Sequence, residues 1–288
     1  MRPRHVALAV LVAVIWGVAF VMTRLALDAF SPPQLTALRF AIAAFPALFV
    51  PRPRVPWRSL IAVGLTLFTG QFLFQFFGIA HGMPPGLAAV VVQTQAFFTI
   101  LFAALVLSER PSGRQRAGMG MAFAGVLAIA TTLGHDLTAT GLGLTVLSAV
   151  SWGIGNVLVK RLGQVEVFRL VVWLSLVPVL PSLALSAWVD GAAALAPMGA
   201  QATWIGLGAA LYLGVVATVI GYAIWGDLLR RYPTPVVAPF ALLAPFVAAL
   251  GSSLAFGERF GAPRLVGMAL VLLGLAVIVL PGSARPPE

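Results

Sequence analysis

Long uncharged apolar runs fill this chain, broken at near-regular intervals by short clusters of proline, glycine and charge. A helix needs about 20 consecutive apolar residues to cross a hydrocarbon core. Ten runs approach that length, at 5–23, 34–50, 60–80, 86–107, 116–133, 140–160, 168–189, 203–226, 234–256 and 263–281. The breaks between them have turn chemistry: "SPPQ" at 31–34, "PRPRVPWR" at 51–58, "GMPPG" at 82–86, "SERPSGR" at 108–114 and "RRYPTP" at 230–235. Every connection is short, so neighbouring spans are expected to run antiparallel. The pattern predicts an all-α polytopic membrane protein with ten transmembrane helices.

Composition agrees. The chain has 288 residues, 60% hydrophobic and 9% charged, with a mean hydropathy of +1.02, whereas soluble domains carry about a quarter charged residues. The net charge of +10 does not point to nucleic acid, because the basic residues sit between apolar blocks as in membrane-flanking loops. With the N-terminus in the cytoplasm, the inside holds Arg2, Arg4, Arg52, Arg54, Arg58, Arg110, Arg114, Arg116, Lys160, Arg161, Arg169, Arg230, Arg231 and Arg285. The outside holds only Arg24, Arg259 and Arg264, and Arg39 lies within the second span. That imbalance predicts a multi-pass membrane protein with both termini cytoplasmic. The first twenty residues mimic a secretory signal, but no small-residue cleavage site closes the apolar run, so a retained span is expected. Cysteine is absent, which excludes disulfides, thiolate metal sites and a cysteine nucleophile.

The chain also repeats itself. Trp16-Gly17 in "IWGVAF" matches Trp152-Gly153 in "SWGIGN". Further on, one constant offset pairs Pro84 with Pro233, Glu109-Arg110 with Glu258-Arg259, Gly118-Met119 with Gly267-Met268, and Gly125 with Gly274. Two units follow, 1–133 and 137–288, each of five spans. An odd span count puts the second unit in the membrane upside down, and two inverted repeats can interchange inward-open and outward-open cavities around a midplane site.

The segments "WGVAFV", "LTALRFAIAAFPALF", "GMPPGLAAVVVQTQAFFTILFAALVLSER", "SWGIGNVLVKR" and "VATVIGYAIWGDLLRRY" resemble the drug/metabolite transporter superfamily, in its EamA branch of ten-helix carriers. "AVVVQTQAFFTI" and "YAIWGDLL" are similar to the bacterial O-acetylserine/cysteine exporters. The resemblance implies a secondary transporter exporting small amino-acid-like metabolites across the bacterial inner membrane by alternating access. One departure is that small multidrug members carry a carboxylate in the first helix. Here all eight acids fall in loops, termini or helix ends, which disfavours organic cations as cargo. Another neutral solute, an aromatic amino acid or a sugar, is the alternative. A membrane enzyme would need an Asp-rich motif, HExxH or GxSxG, none of which is present. No Walker A sequence is present either, so a gradient must drive transport, and no cofactor or metal is expected.

The candidate substrate-binding residues are neutral hydrogen-bonders and aromatics: Trp16, Gln71, Gln75, Gln93, Gln95, Trp152, Asn156, Thr218, Tyr222 and Trp225. Such groups can receive a small polar or zwitterionic solute without a fixed opposite charge. Gln71 and Gln75 share a helical face, and Thr218, Tyr222 and Trp225 form an i, i+4, i+7 stripe. Gln93 and Gln95 lie about 200° apart on an α-helix, so one is expected in the cavity and the other against a neighbouring helix. Against these readings, intramembrane amides commonly serve only as interhelical glue and tryptophans as packing. A solute carboxylate is assigned to helix N-termini started by Pro84-Pro85 and Pro233/Pro235. Arg39 is assigned to snorkelling or to capping carbonyls, with direct contact to a substrate carboxylate as the alternative, His81 to no chemistry, and Asp227 to a helix end beside Arg230 and Arg231. Glu109-Arg110 and Glu258-Arg259 are read as loop clamps. The stripe Gly118, Ala122, Gly125, Gly267 and Gly274 predicts that the fifth and tenth spans pack together as scaffold. The alternative is self-association on that surface, giving a monomer or weak homodimer.

Overall fold

A computed structural model describes residues 1–134, 136–191 and 203–279; Arg285, Glu288 and the end of the tenth predicted span lie outside them. Ten helical segments follow one another among these residues. They are α1 (Pro3–Ala26), α2 (Pro32–Ala44, prolonged by a 3-10 turn Phe45–Leu48), α3 (Trp57–Ala80), α4 (Pro85–Leu107) and α5 (Gly113–Ala130). Then come α6 (Ala139–Arg161), α7 (Val167–Val189), α8 (Trp204–Arg231), α9 (Thr234–Phe256) and α10 (Ala262–Val279). No strand occurs among the described residues; the one isolated bridge joins Gly134 and Leu137. Eight segments are long and apolar enough to cross a membrane. The other two are α2, whose α-helical part is only 13 residues, and α5, which begins Gly-Arg-Gln-Arg.

The predicted breaks act as helix starts. In "SPPQ", the Ser31 hydroxyl accepts from the Gln34 N–H while Gln34 Oε1 accepts from the Ser31 N–H, and prolines fill the first helical positions. Ser112 and Gln115 repeat this capping box at α5. Reciprocal bonds of this kind satisfy amides that a helix start leaves open.

Hydrogen bonds between connections sort the helix ends into two sets. At one end, called the far end, Ser31 Oγ donates to Asp190 Oδ2 (2.5 Å), Thr138 N to Gly82 O (3.0 Å) and Arg264 Nη2 to Asp136 Oδ1 (2.6 Å). At the near end, the His5 ring meets the Tyr232 hydroxyl (2.7 Å), and Lys160 Nζ donates to Glu109 Oε1 (2.6 Å).

The packing pairs mirror one another across the two halves. α1 packs on α9 and α6 on α4, and α3 lies against α6 as α8 lies against α1. α2 packs on the Val179–Val189 part of α7, and α5 on α10. Irregularities also recur. α3 widens to a π-helix at Gly64–Gly70, where Thr69 Oγ1 donates to the Gly64 carbonyl five residues back. α8 widens at Tyr212–Ile220, where Thr218 Oγ1 donates to Leu213. The register that carries Glu109 to Glu258 also carries Thr69 to Thr218. The Trp-Gly pairs mark close crossings: a Cβ on Gly17 would lie 2.7 Å from the Ala244 carbonyl oxygen, and one on Gly153 2.7 Å from Phe98 Cβ.

The repeat is imperfect at one backbone position. α4 and α9 both end in a left-handed residue, Ser108 (φ 56°) and Gly257 (φ 66°). A side chain disfavours that conformation by about 1 kcal/mol relative to glycine. Ser108→Gly is therefore expected to raise the melting temperature by roughly 1–4 °C, read by thermal unfolding of detergent-solubilised protein. An unchanged or lower value counts against the strain.

Candidate functional site

The bundle encloses a cavity of about 350 Å³, at the lower end of the range for small-molecule sites. It is lined by α1 (Trp16, Phe20, Thr23), α2 (Arg39), α3 (Gln71, Phe72, Gln75), α4 (Gln93, Gln95), α6 (Trp152, Asn156), α8 (Tyr222, Trp225) and α9 (Ala241, Pro245), among others. Nine of the ten candidate residues from the sequence are in this lining.

Four of the five cavity amides are paired. Gln71 Nε2 donates to Gln75 Oε1 at 2.9 Å, and both residues are buried. Asn156 Nδ2 donates to Gln95 Oε1 (2.8 Å) and to Thr99 Oγ1 (3.0 Å), which ties α6 to α4. Gln93 and Gln95 both line the cavity, against the expectation that they would face different ways. The cause is a 3-10 turn at Val92–Thr94. Three residues per turn bring positions two apart from about 160° to about 120° of separation. Gln95 thus serves both roles, lining the cavity and bonding its neighbour.

The aromatics form a tilted cluster. The Trp16 ring centroid lies 5.3 Å from that of Tyr222 and 5.1 Å from that of Trp225. Trp16 Nε1 donates to the Ala217 carbonyl (3.1 Å), inside the π-helical stretch of α8. Trp16 is therefore both a packing residue and part of the wall.

Two readings from the sequence need correction. Thr218 does not line the cavity: it is 1% exposed, its hydroxyl donates to Leu213 and accepts from Arg39 Nε at 3.2 Å. The π turn changes the angle per residue, so an i, i+4 spacing across it no longer keeps one face. Arg39 does not snorkel. It is 5% exposed inside the bundle and lines the cavity, with its guanidinium carbon 4.1 Å from the centroid of Phe72. The cavity is therefore not uncharged. The sequence reading left Arg39 out of its candidate set, although a lone arginine within an apolar span is the signal that points to it, since such residues mark function by default.

A third expectation also changes. Pro85 starts α4, but the amides this frees do not face the cavity. Gly86 N donates to Glu258 Oε2 (3.0 Å) and Leu87 N to Glu258 Oε1 (3.2 Å), and the Ser252 hydroxyl bonds the same carboxyl. Glu258 is 8% exposed and clamps the far end of α4 to the α9–α10 turn. Burial pushes its carboxyl above the ordinary glutamate value, while Ser252, the two backbone amides and Arg264 pull the other way. Its repeat partner Glu109 is exposed and paired with Lys160 instead. Above the clamp opens a wider depression of about 960 Å³, whose walls include Arg24, Asp28, Asp136, Glu258, Arg259 and Arg264.

The two crossing helices complete the geometry. The far-end halves of α4 (Pro85–Val91) and α9 (Ala244–Phe256) pack together, and every residue from Pro85 to Val92 is buried. The near-end halves diverge, Gln95–Leu107 onto α6 and Ala238–Leu243 onto α1 and α10.

Comparison with known proteins gives the family. The EamA-like transporter family matches twice along the chain, at residues 4–131 and 139–280. The chain belongs to this family. It is a multi-pass membrane transporter and not an enzyme. This EamA transporter is 42% identical over 279 residues to a "Probable amino-acid metabolite efflux pump" of Salmonella typhimurium, covering 94% of this chain and 93% of that protein. A protein of the same description from Escherichia coli K12 is 39% identical over 97% of this chain and 96% of its own length. A "Probable terminal-alkyne amino-acid exporter" of Streptantibioticus cattleyicolor is 32% identical over 93% and 91%. A crystal structure of a protein 20% identical covers 96% of both chains with a TM-score of 0.62, a likeness of fold.

Proposed function

We propose that this EamA transporter exports small amino-acid-like metabolites, of the cysteine and O-acetylserine type, across a bacterial inner membrane by alternating access. The observation that carries this reading is the cavity itself, where amides and aromatic rings from both halves of the chain surround a volume suited to a small solute. The descriptions of the Salmonella, Escherichia and Streptantibioticus relatives support amino-acid metabolites as the class.

In this reading the ten helical segments all cross the membrane as two inverted five-helix units, with the near end cytoplasmic and the far end outside. The mirrored packing pairs and the recurrent π turns support that arrangement. Convergence of α4 and α9 at the far end then makes this the inward-facing state, held shut outside by Glu258 on the start of α4. In the opposite state Glu109 releases Lys160 and clamps the start of α9, because the repeat places it there. Inverted repeats exchange shape in this manner.

The abundance of rings, with Trp16, Trp152, Tyr222, Trp225, Phe20 and Phe72 all in the wall, favours one second reading, an aromatic amino acid as cargo. Counterflow in proteoliposomes separates the two. Loading with cysteine or O-acetylserine is expected to accelerate entry of labelled cysteine, with little effect from tryptophan, sugars or quaternary ammonium dyes. Stimulation by tryptophan and phenylalanine alone moves the assignment to the second reading, and no response to any amino acid defeats both.

A further inference from the structure

We propose that Arg39 selects for a carboxylate on the transported solute. This deepens the function proposed above and rests on it.

Arg39 is the one charged residue in the cavity lining among the described residues. Its Nε is held by the Thr218 hydroxyl at 3.2 Å, and one face of the guanidinium lies over Phe72. These two contacts fix the plane and leave the Nη edge. Among the described residues the Nη groups have no acceptor, and they are not sealed from solvent-accessible space, which for a residue 5% exposed that lines the cavity means that they face it. Five other arginines among the described residues are paired with acids, all at helix ends: Arg24 with Asp28, Arg169 with Glu166, Arg264 with Asp136, and Arg230 and Arg231 with Asp227. No carboxylate among the described residues forms an ion pair with Arg39.

A buried guanidinium without a counter-charge is costly, by several kcal/mol. Neutral glue or packing does not require that cost, since a leucine or glutamine would fill the space. A solute carboxylate would supply the missing charge, and the planar fork of an arginine matches it with two parallel hydrogen bonds. The rival anion site, the start of α4, is already occupied by Glu258 through the Gly86 and Leu87 amides. Thr218 is a positioning residue in this scheme, since the hydroxyl that holds Nε is itself anchored on Leu213. The ring faces of Trp16, Tyr222 and Trp225 are left for the cationic or apolar remainder of the solute.

The test uses purified full-length transporter in proteoliposomes and compares cysteine with cysteine amide, which differ at the carboxylate. Each is measured as a competitor of labelled-cysteine counterflow and by quenching of intrinsic tryptophan fluorescence. Wild type is expected to prefer the acid by roughly 30-fold or more. In Arg39→Gln that preference falls to near one, because acid affinity drops while amide quenching is unchanged. Unchanged amide quenching also shows that the variant is folded, and Arg39→Lys is expected to restore part of the preference. Wild type that carries cysteine but does not discriminate overturns this inference alone, as does an Arg39→Gln variant that keeps the discrimination or loses both ligands equally. Wild type that binds and carries neither compound removes the transport reading as well.

Discussion

Gly125→Leu and Gly274→Leu are each expected to leave little folded transporter, whereas Gly120→Leu on the same helix α5 is expected to be nearly silent. The difference lies in what a side chain would meet. A Cβ on Gly125 would sit 2.6 Å from the Gly267 carbonyl oxygen, and one on Gly274 2.5 Å from the Gly118 carbonyl oxygen. The reverse contacts are equally close, 2.7 Å from Gly267 to Gly125 O and 2.6 Å from Gly118 to Gly274 O. The obstacle is backbone rather than a movable side-chain tip, so α5 and α10 must separate along their whole seam. Around Gly120 a Cβ meets nothing within 4 Å. Overpacking of this kind typically costs 1–3 kcal/mol and more where the backbone must move. About 3 kcal/mol corresponds to a fall of roughly 6–12 °C in melting temperature for a chain somewhat smaller than this one. Size-exclusion profiles and thermal unfolding in detergent measure it. If all three variants melt together, the seam is not the scaffold of the fold.

Glu258→Ala is expected to open the far end and to reduce cysteine counterflow by roughly tenfold, the effect of ~1.4 kcal/mol on the closed state. Removing the carboxyl leaves the Gly86 and Leu87 amides without partners in a region where every neighbouring residue of α4 is buried, and buried amides without acceptors cost about 1–3 kcal/mol each. The native chain has no cysteine, so a single Ala88→Cys, at a position fully buried in the closed end, reports opening through its rate of labelling by a membrane-impermeant maleimide. Labelling should be slow on the Glu258 background and fast with Glu258→Ala. Equal rates would mean that the carboxyl does not hold the end shut.

The same residue sets the sign of a pH effect. Its carboxyl is raised in the closed state by burial, and returns towards the ordinary glutamate value once open and solvated. The protonated form therefore favours closure. That contribution is complete below the ordinary value and is lost as pH rises through the raised one. Arg264 and Arg259, with Asp136, Asp28 and Arg24, share this mouth, and their pairing as Arg264–Asp136 and Arg24–Asp28 keeps the local field nearly balanced. Opening, read as labelling of Ala88→Cys relative to the non-titrating Glu258→Gln background, is expected to rise with pH across that window. A flat ratio rejects the coupling.

Much of this was legible from periodicity. The bounds of the predicted runs agree with the helical segments α1 to α10 within a few residues at most ends, and eight of these segments are long and apolar enough to cross a membrane, because the length and apolarity of a crossing helix are dictated by the bilayer rather than by packing. The largest difference is α8, which continues through Trp225 and Asp227 to Arg231, five residues past the predicted end, since Asp227 pairs with Arg230 and Arg231 along the same helix. The glycine stripe of α5 and α10 was readable for a similar reason, as close approach needs small residues whatever the rest of the fold does. The site was legible as a set of residue types. Gln71, Gln75 and Asn156 stood out because an amide in hydrocarbon needs a partner.

Three features were not legible, each from a departure from the regular helix or from a contact distant in sequence. The 3-10 turn at Val92–Thr94 brings Gln93 and Gln95 to one cavity, and the π stretch at Tyr212–Ile220 takes Thr218 out of it. The amides of Gly86 and Leu87 are claimed by Glu258, more than 170 residues away.

By itself the order of residues determined that the protein lives in a bilayer, where the helical segments of the described residues fall, that its halves repeat, and which side chains are too polar to face lipid. Those are one-dimensional consequences of hydrophobic length and local caps. Only the tertiary structure decided where those side chains point, that Arg39 shares their cavity with no acid paired to it among the described residues, and that Glu258 rather than Glu109 holds a helix start. Direction and pairing depend on helix rotation and crossing, which arise when distant segments pack, and no stretch of chain encodes them alone.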